Sequence, residues 1–152
     1  MARTNERCGI WVIELLQIAP RDAVLEVGFG PGAIIERISK RAATSHVAGN
    51  VASSAMVKQA RIRNAAAIKT GHVDLRQGSV EDMPFSDNTF NKVNKVLAVN
   101  SMQVWADALA GLGGVLKPAT TLGFGFTAYS GQSEPGLTEL LAAVGFTTSQ
   151  AP

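Results

Sequence analysis

The residues best suited to hold a ligand form a glycine turn at positions 28 to 32. The short apolar run Ala23 to Val27 leads into Gly28-Phe29-Gly30-Pro31-Gly32, and Ile34, Ile35 and Ile38 follow at helical spacing. Glycines let the backbone turn sharply and approach a ligand closely, and a helix start offers free N–H groups. This pattern predicts a site for a nucleotide-like cofactor, although a tight turn without a ligand explains an isolated glycine cluster equally well.

Other patterns that could do chemistry are weak. The sequence contains no Cys/His spacing typical of a metal site and no nucleophile elbow, so no metal is expected and no catalytic residue is assigned. His46 and His72 are interpreted as ordinary structural or surface residues rather than bases. Trp105 and Tyr129 could line an apolar acceptor pocket, but simple packing is the commoner role of aromatic side chains.

Short β-rich runs alternate with helical runs along the chain, the pattern of βα units around a parallel sheet. Six strands are predicted, over Ala23 to Val27, Ser45 to Gly49, Val73 to Gln77, Val93 to Val99, Thr121 to Thr127 and Phe146 to Ser149. Five helices are predicted, over Trp11 to Ile18, Gly32 to Ala43, Ser53 or Ser54 to Ala67, Trp105 to Leu116 and Leu137 to Val144. We therefore expect an α/β, Rossmann-like, doubly wound fold. Its mostly parallel sheet should have strand order 3-2-1-4-5 and a truncated far edge.

Composition narrows the class of protein. With 152 residues, 46% of them hydrophobic and 17% charged, the chain fits a single domain over residues 1–152 with one buried core. The net charge of +2 gives no footprint for nucleic acid or an anionic membrane. No charge-free run is long enough to cross a bilayer, and Cys8 has no second cysteine to pair with. A cytoplasmic location is expected.

Four sequence blocks carry a resemblance to a known family. They are Val24-Leu25-Glu26-Val27 with the glycine turn, Ser54-Ala55-Met56-Val57, Gly78-Ser79-Val80-Glu81-Asp82-Met83-Pro84-Phe85, and Val115-Leu116-Lys117-Pro118. In this order and spacing they resemble class I S-adenosylmethionine-dependent methyltransferases, especially the small-molecule group related to ubiquinone and menaquinone biosynthesis methyltransferases. Together they cover most of the chain and are more specific than any one block.

The resemblance implies roles for particular residues. Glu26 would anchor the amino-acid end of S-adenosylmethionine, Ser79 and Val80 would meet the adenine, and Asn100 with its neighbour would lie near the methyl group. The expected cofactor-binding residues are Glu26, Gly28, Phe29, Gly30, Gly32, Asn50, Val51, Ser79, Val80, Asn100 and Ser101.

The clearest departure from the family lies at the end of the second strand, where an acidic residue normally holds the ribose hydroxyls. This chain has Asn50 and Val51 there. Counting back from Met56 favours Val51 as the occupant, while Asn50 could still make weaker neutral hydrogen bonds. A lost charge-assisted contact costs roughly 1.5 to 3 kcal/mol.

A second departure concerns the far side of the sheet. Ala119-Thr120 replaces the usual Gly-Gly, and the chain stops where the family adds another antiparallel strand. An exposed sheet edge could then pair with a second copy of the chain.

The expected function is methyl transfer to a small-molecule acceptor whose identity the sequence does not specify. Asn100-Ser101-Met102-Gln103 stands where many base N-methyltransferases have Asn-Pro-Pro-aromatic, which argues against a DNA substrate. A second hypothesis is an NAD-type domain, because Gly28, Gly30 and Ala33 also satisfy a loose G-x-G-x-x-A pattern. A third is a non-catalytic cofactor-binding domain, suggested by Val51 and the short termini.

Overall fold

The computed structural model describes residues 2–85, 93–100, 119–127, 136–143 and 145–147. Five strands form one parallel sheet: β1 (Val24–Val27), β2 (Val47–Val51), β3 (Val73–Gln77), β4 (Lys95–Val99) and β5 (Thr121–Gly125). The helices are α1 (Ala2–Leu15), α2 (Ala33–Arg41), α3 (Ser54–Arg63), α4 (Ala65–Lys69) and α5 (Leu137–Ala143). The predicted helix Trp105 to Leu116, and with it Ser101 and Tyr129, lies outside the described residues.

The strand order is β3-β2-β1-β4-β5, which confirms the predicted order. β1 is central, with Glu26 opposite Gly49 of β2 and Leu97 of β4. Because all five strands are parallel, their carboxyl ends share one edge of the sheet, where ligands bind in open α/β sheets. The glycine turn after β1 lies at this edge.

Both faces of the sheet are buried, which explains why the strands are continuous apolar runs rather than alternating ones. On one face Val24, Val47 and Leu97 pack with residues of α1 and α2. On the other face Leu25 and Ala48 belong to a second cluster, which also contains residues beyond the strands. The sheet is therefore held between two apolar layers.

Helix α1 starts nine residues before the predicted Trp11. Its buried side contains Gly9, which faces Ile34 of α2 without room for a Cβ, and Val12, which contacts β5. A Cβ built on Gly123 or Gly125 of β5 would lie 2.8 or 2.6 Å from side-chain atoms of Val12. The first turns are mostly polar and lack an apolar period, so tertiary packing decides that they are helical.

Most predicted elements differ in their bounds: α1 ends at Leu15 rather than Ile18, α2 covers Ala33–Arg41 rather than Gly32 to Ala43, β4 begins at Lys95 rather than Val93, and β5 ends at Gly125 rather than Thr127. β2 begins at Val47 rather than Ser45 and continues through Val51, because the backbone N–H of Gly28 donates to the carbonyl of Asn50 and extends the pairing. The predicted helix ending at Ala67 is divided at Asn64, whose φ of −102° and ψ of 18° depart from helical values, and whose buried side-chain amide donates to the carbonyl of Gly32.

The predicted strand Phe146 to Ser149 is wrong in its described part, since Phe146 and Thr147 are not in a strand. Gly145 has φ 91°, its N–H donates to the carbonyl of Ala142, and the N–H of Phe146 donates to that of Leu141. These two bonds form the Schellman arrangement that ends a helix. The residues after α5 therefore cap the helix. None of the described helices is long and apolar enough to cross a membrane.

Candidate cofactor site

The turn between β1 and α2 is built from three glycines in the left-handed region. Gly28, Gly30 and Gly32 have φ values of 75°, 52° and 82°. A Cβ at Gly32 would collide with Ala60 and Asn64, whereas a Cβ at Gly30 would meet nothing within 4 Å. The turn is thus packed on its α3 side and open above Gly30. It leaves room for a ligand next to the backbone at the start of α2.

Glu26 lies just before this turn and is buried, with 2% of its surface exposed. Its Oε2 atom has no hydrogen-bond partner among the described residues. Burial raises the pKa of Glu26 from about 4.5 to about 8, because an apolar environment disfavours the charged carboxylate. An unpaired carboxyl group held dry is costly in the free protein, and a cationic ligand group would relieve this cost.

The side chain of Phe29 is part of the core rather than of the turn's open side. It is 3% exposed and lies close to Gly49 of β2. Its carbonyl accepts the N–H of Gly32 at 3.0 Å, which closes the turn. The backbone of Phe29 therefore shapes the turn, while its ring packs in the core.

The end of β2 presents two uncharged residues with different environments. Asn50 is 1% exposed, and its Nδ2 donates to the carbonyls of Gly78 and Ser79 at 3.4 and 3.3 Å. Its Oδ1 has no partner among the described residues. Val51, the last strand residue, is half-buried and packs against the core that contains Phe29. Asn50 therefore supports the next loop, and Val51 holds the strand-end position without a polar group.

The loop after β3 is fixed from several sides. The Nη1 of Arg76 donates to the carbonyl of Pro84 at 2.6 Å, and its guanidinium lies 4.9 Å from the centre of the Phe85 ring. The Oγ of Ser79 accepts the N–H of Asp82 at 3.1 Å, while the side chain of Val80 is buried. Together with Asn50, these contacts hold the predicted adenine-binding residues at the carboxyl edge.

Asn100 follows β4 at the same edge and has a left-handed φ of 53°. Its N–H donates to the carbonyl of Gly125, its Oδ1 accepts the N–H of Thr127, and its Nδ2 donates to Oδ1 of Asn5, each at 2.8 Å. These contacts join the ends of β4 and β5 to α1. Ser101, predicted to act beside Asn100, lies outside the described residues.

The histidines are placed away from this edge. His46 and His72 immediately precede β2 and β3, at the amino ends of the strands, and His72 Nε2 lies 2.9 Å from the carbonyl oxygen of Ser39. In the part of the chain that the structure describes, no group of three His, Cys, Asp or Glu side chains could hold a metal ion. The site is thus built from backbone, amides and one buried carboxyl group.

Two residues of this site were not predicted from the sequence. Asn64 in the α3–α4 break holds the carbonyl of Gly32 at 3.1 Å, and Asn5 on α1 contacts Asn100. No sequence motif marks either position. Their partners lie 32 and 95 residues away along the chain.

Comparison with known proteins matches this geometry to a family. A family model described as a methyltransferase domain matches residues 24–119. An uncharacterised methyltransferase of Bacillus subtilis is 37% identical over 112 residues, covering 74% of this chain and 58% of that protein. The ubiquinone/menaquinone biosynthesis C-methyltransferase of Geotalea daltonii is 25% identical over 109 residues, covering 71% and 46%. The chain spans about half the length of the curated relatives it matches.

Solved structures show the same fold. The crystal structure of an S-adenosylmethionine-dependent methyltransferase from Aquifex aeolicus superimposes with a TM-score of 0.76 at 19% identity. The superposition covers 93% of this chain and 81% of that one. At this identity the likeness concerns the fold alone.

Proposed function

Since the chain belongs to the class I S-adenosylmethionine-dependent methyltransferases, we propose that it transfers a methyl group from S-adenosylmethionine to a small-molecule acceptor. The observation that carries this proposal is the buried carboxyl group of Glu26, unpaired at Oε2 and beside a left-handed glycine turn that is open above Gly30. A cofactor with a cationic amino-acid end fits such a carboxyl group. The NAD-type alternative has no comparable use for it.

Glu26 and the turn would hold the amino-acid end of the cofactor. In the free protein the raised pKa keeps Glu26 protonated at neutral pH. A cationic amino group beside it would favour the ionised carboxylate, whose proton would pass to solvent, and the two groups would form a charge-assisted hydrogen bond, which is stronger than a neutral one. The backbone at Gly28, Gly30 and Gly32 supplies the close approach.

The loop after β3 would hold the adenine end at Ser79 and Val80, with the carbonyl of Ser79 bound by Asn50 and the end of the loop at Pro84 bound by Arg76. The ribose between the two ends would meet Val51 without a carboxylate. We therefore expect weaker cofactor binding than an acid at this position would give, by roughly ten- to hundredfold.

The cofactor, when bound, supplies an activated methyl group on a sulfonium. Displacement from a sulfonium needs no protein nucleophile, so positioning and exclusion of water can supply much of the acceleration. The side chains at the carboxyl ends of β1 and β4, together with the first turns of α1, would orient the cofactor and the methyl acceptor and shield them from solvent.

Calorimetric titration with S-adenosylhomocysteine, and separately with NAD, tests the proposal. Measurable binding of the first ligand and none of the second is the expected result. Binding of NAD alone would refute it.

A non-catalytic cofactor-binding domain is the second candidate, favoured by the uncharged end of β2. A screen of small acceptors with isotopically labelled S-adenosylmethionine separates the two functions. Binding without transfer to any acceptor, and without slow hydrolysis of the cofactor, would favour this candidate.

A further inference from the structure

Helix α1 descends across one face of the sheet from the edge that carries the cofactor site. Asn5 contacts Asn100 just beyond β4, and the Sγ of Cys8 lies 2.7 Å from where a Cβ on Gly125, the last residue of β5, would be. Val12 contacts both Gly125 and Gly123, and Leu16 packs further down, at Gly123. The first turns of α1 therefore lie at the carboxyl ends of β4 and β5.

The same turns also reach α2 on the other side. Glu6 pairs with Arg37 at 2.6 Å, and Gly9 faces Ile34. The start of α1 thus spans the space between the first turns of α2, which follow the glycine turn, and the ends of β4 and β5.

Of the contacts of α1 named above, the one between Asn5 and Asn100 is a hydrogen bond at a strand end. Asn100 donates its Nδ2 to Asn5 and accepts the N–H of Thr127 with its Oδ1. Both bonds come from one side chain on a residue with left-handed φ, a conformation that Asn tolerates better than most residues. The amide therefore links three segments that are distant in sequence.

We propose that Asn100 is a positioning residue that clamps the first turns of α1 over the carboxyl ends of β4 and β5, where they form one wall of the methyl-acceptor site. The first part of this proposal, the clamp, is that Asn100 holds α1 in place, and it depends only on the contacts above. The second part, the wall, is that α1 borders the methyl-acceptor site, and it rests on the proposed function. Asn100 is also among the residues predicted to bind the cofactor, and its side-chain contacts to Asn5 and Thr127 give it this second role through α1. Asn5, which carries no family motif, becomes part of the acceptor site's construction.

Cys8 provides an intrinsic reporter, because it is the only cysteine in the sequence and is half-buried on the side of α1 that faces β5. Burial also raises the pKa of its thiol, which slows reaction with disulfide reagents. Lifting of α1 should therefore accelerate its reaction with Ellman's reagent. The rate is measured on the whole chain, with and without saturating S-adenosylhomocysteine.

A double-mutant cycle isolates the Asn5–Asn100 bond. In Asn5→Asp the new carboxylate still accepts from Asn100, and in Asn100→Asp the Asn5 amide can turn to donate, so each single variant keeps one bond. The double variant places two carboxylates opposite each other. We expect wild-type rates within about twofold for the single variants and about fivefold faster labelling for the double variant, as for loss of one net hydrogen bond. A merely structural role for either position would not give this pattern.

Two further variants complete the design. Asn5→Ala removes the acceptor at an exposed helix position without introducing charge, and we expect about threefold faster labelling even if the double variant does not fold. Glu6→Gln, the matched control, breaks the exposed ion pair to Arg37 and should leave the rate within about twofold of wild type.

Bound S-adenosylhomocysteine should slow labelling of Cys8 in the wild type by about threefold or more, and less in the double variant, because the ligand closes the site beneath α1. Equal rates for the wild type, Asn5→Ala and the double variant would overturn the clamp. Ligand binding without any change in labelling would overturn the wall. If calorimetry detects no S-adenosylhomocysteine binding, the proposed function and the wall fail together, and the rates without ligand still decide the clamp.

Discussion

The turn after β1 and the ends of the neighbouring strands differ in which residues adopt left-handed φ values and in how their polar groups are paired. In the β1 turn, all three left-handed positions are glycines, and the buried Glu26 just before it keeps Oε2 without a partner among the described residues. At the neighbouring strands, left-handed φ values fall on Asn100 after β4 and on Ala119 at the amino end of β5, which is the opposite edge of the sheet, and β2 ends without an acid. The first region leaves open space above Gly30 and an unpaired carboxyl oxygen, whereas the second is shaped mainly by contacts within the protein.

This difference indicates where binding free energy should come from. In and before the β1 turn, the backbone and Glu26 would provide contacts that are already oriented. At the end of β2, Asn50 donates to the loop after β3, and Val51 packs against the core. Substitutions should therefore weaken binding in the first region and be able to strengthen it in the second.

The largest effect is expected for Glu26→Gln. The substitution removes the charge-assisted bond to the amino group, so S-adenosylhomocysteine should bind about tenfold to hundredfold more weakly by calorimetry. Glu36→Gln is the matched control, because Glu36 is exposed on α2 and pairs with Lys40 instead. Equal losses in both variants would show that the effect is not specific to the buried carboxyl group.

The stability of the free protein should also depend on pH through Glu26. Its pKa is about 8 in the folded protein and near 4.5 when exposed, so the folded state binds more protons between these values. The free energy of unfolding should therefore fall as pH rises from about 4.5 to about 8, relative to Glu26→Gln. Urea denaturation at several pH values measures this difference. Parallel stability curves for the two proteins would contradict the raised pKa.

A gain of about tenfold is expected for Val51→Asp. If Val51 occupies the ribose position, the new carboxylate reaches the two hydroxyls and adds roughly 1.4 kcal/mol to S-adenosylhomocysteine binding. Asn50→Asp is the parallel test, although it also removes the amide that supports Gly78 and Ser79. An analogue lacking both hydroxyls should show no gain. If neither substitution improves binding in a folded protein, the ribose lies elsewhere.

The smallest effect is expected on the free energy of unfolding, from substitutions at two left-handed backbone positions. Ala119 has φ 71°, a conformation that costs alanine roughly 1 kcal/mol but glycine little. Ala119→Gly should therefore raise the free energy of unfolding by up to about 1 kcal/mol, less the entropy that glycine gains in the unfolded chain. Gly30→Ala, at φ 52°, should lower the free energy of unfolding. Chemical denaturation compares the two variants, and a destabilised Ala119→Gly would show that the strain is absent.

The sequence alone predicted the strand order, the position of the glycine turn and the family. Each of these depends on local signals: apolar runs for buried parallel strands, glycines where φ must be positive, and blocks with fixed spacing. β3 has the predicted bounds, and β1 differs by one residue. The departures at Val51 and Ala119 were also visible in the sequence, since both are substitutions within recognisable blocks.

Only the tertiary structure decided what the polar side chains do. Asn50 donates to a loop 28 residues away, Asn64 holds the glycine turn, and Asn100 contacts Asn5 across 95 residues. An amide can donate or accept in many settings, so its residue type does not specify its partner. The early start of α1 and the capped end of α5 likewise depend on packing and backbone bonds that form only in the folded chain. Local patterns specify where a strand or a turn lies, but long-range contacts determine which polar side chains are paired within the protein and which are available to a ligand.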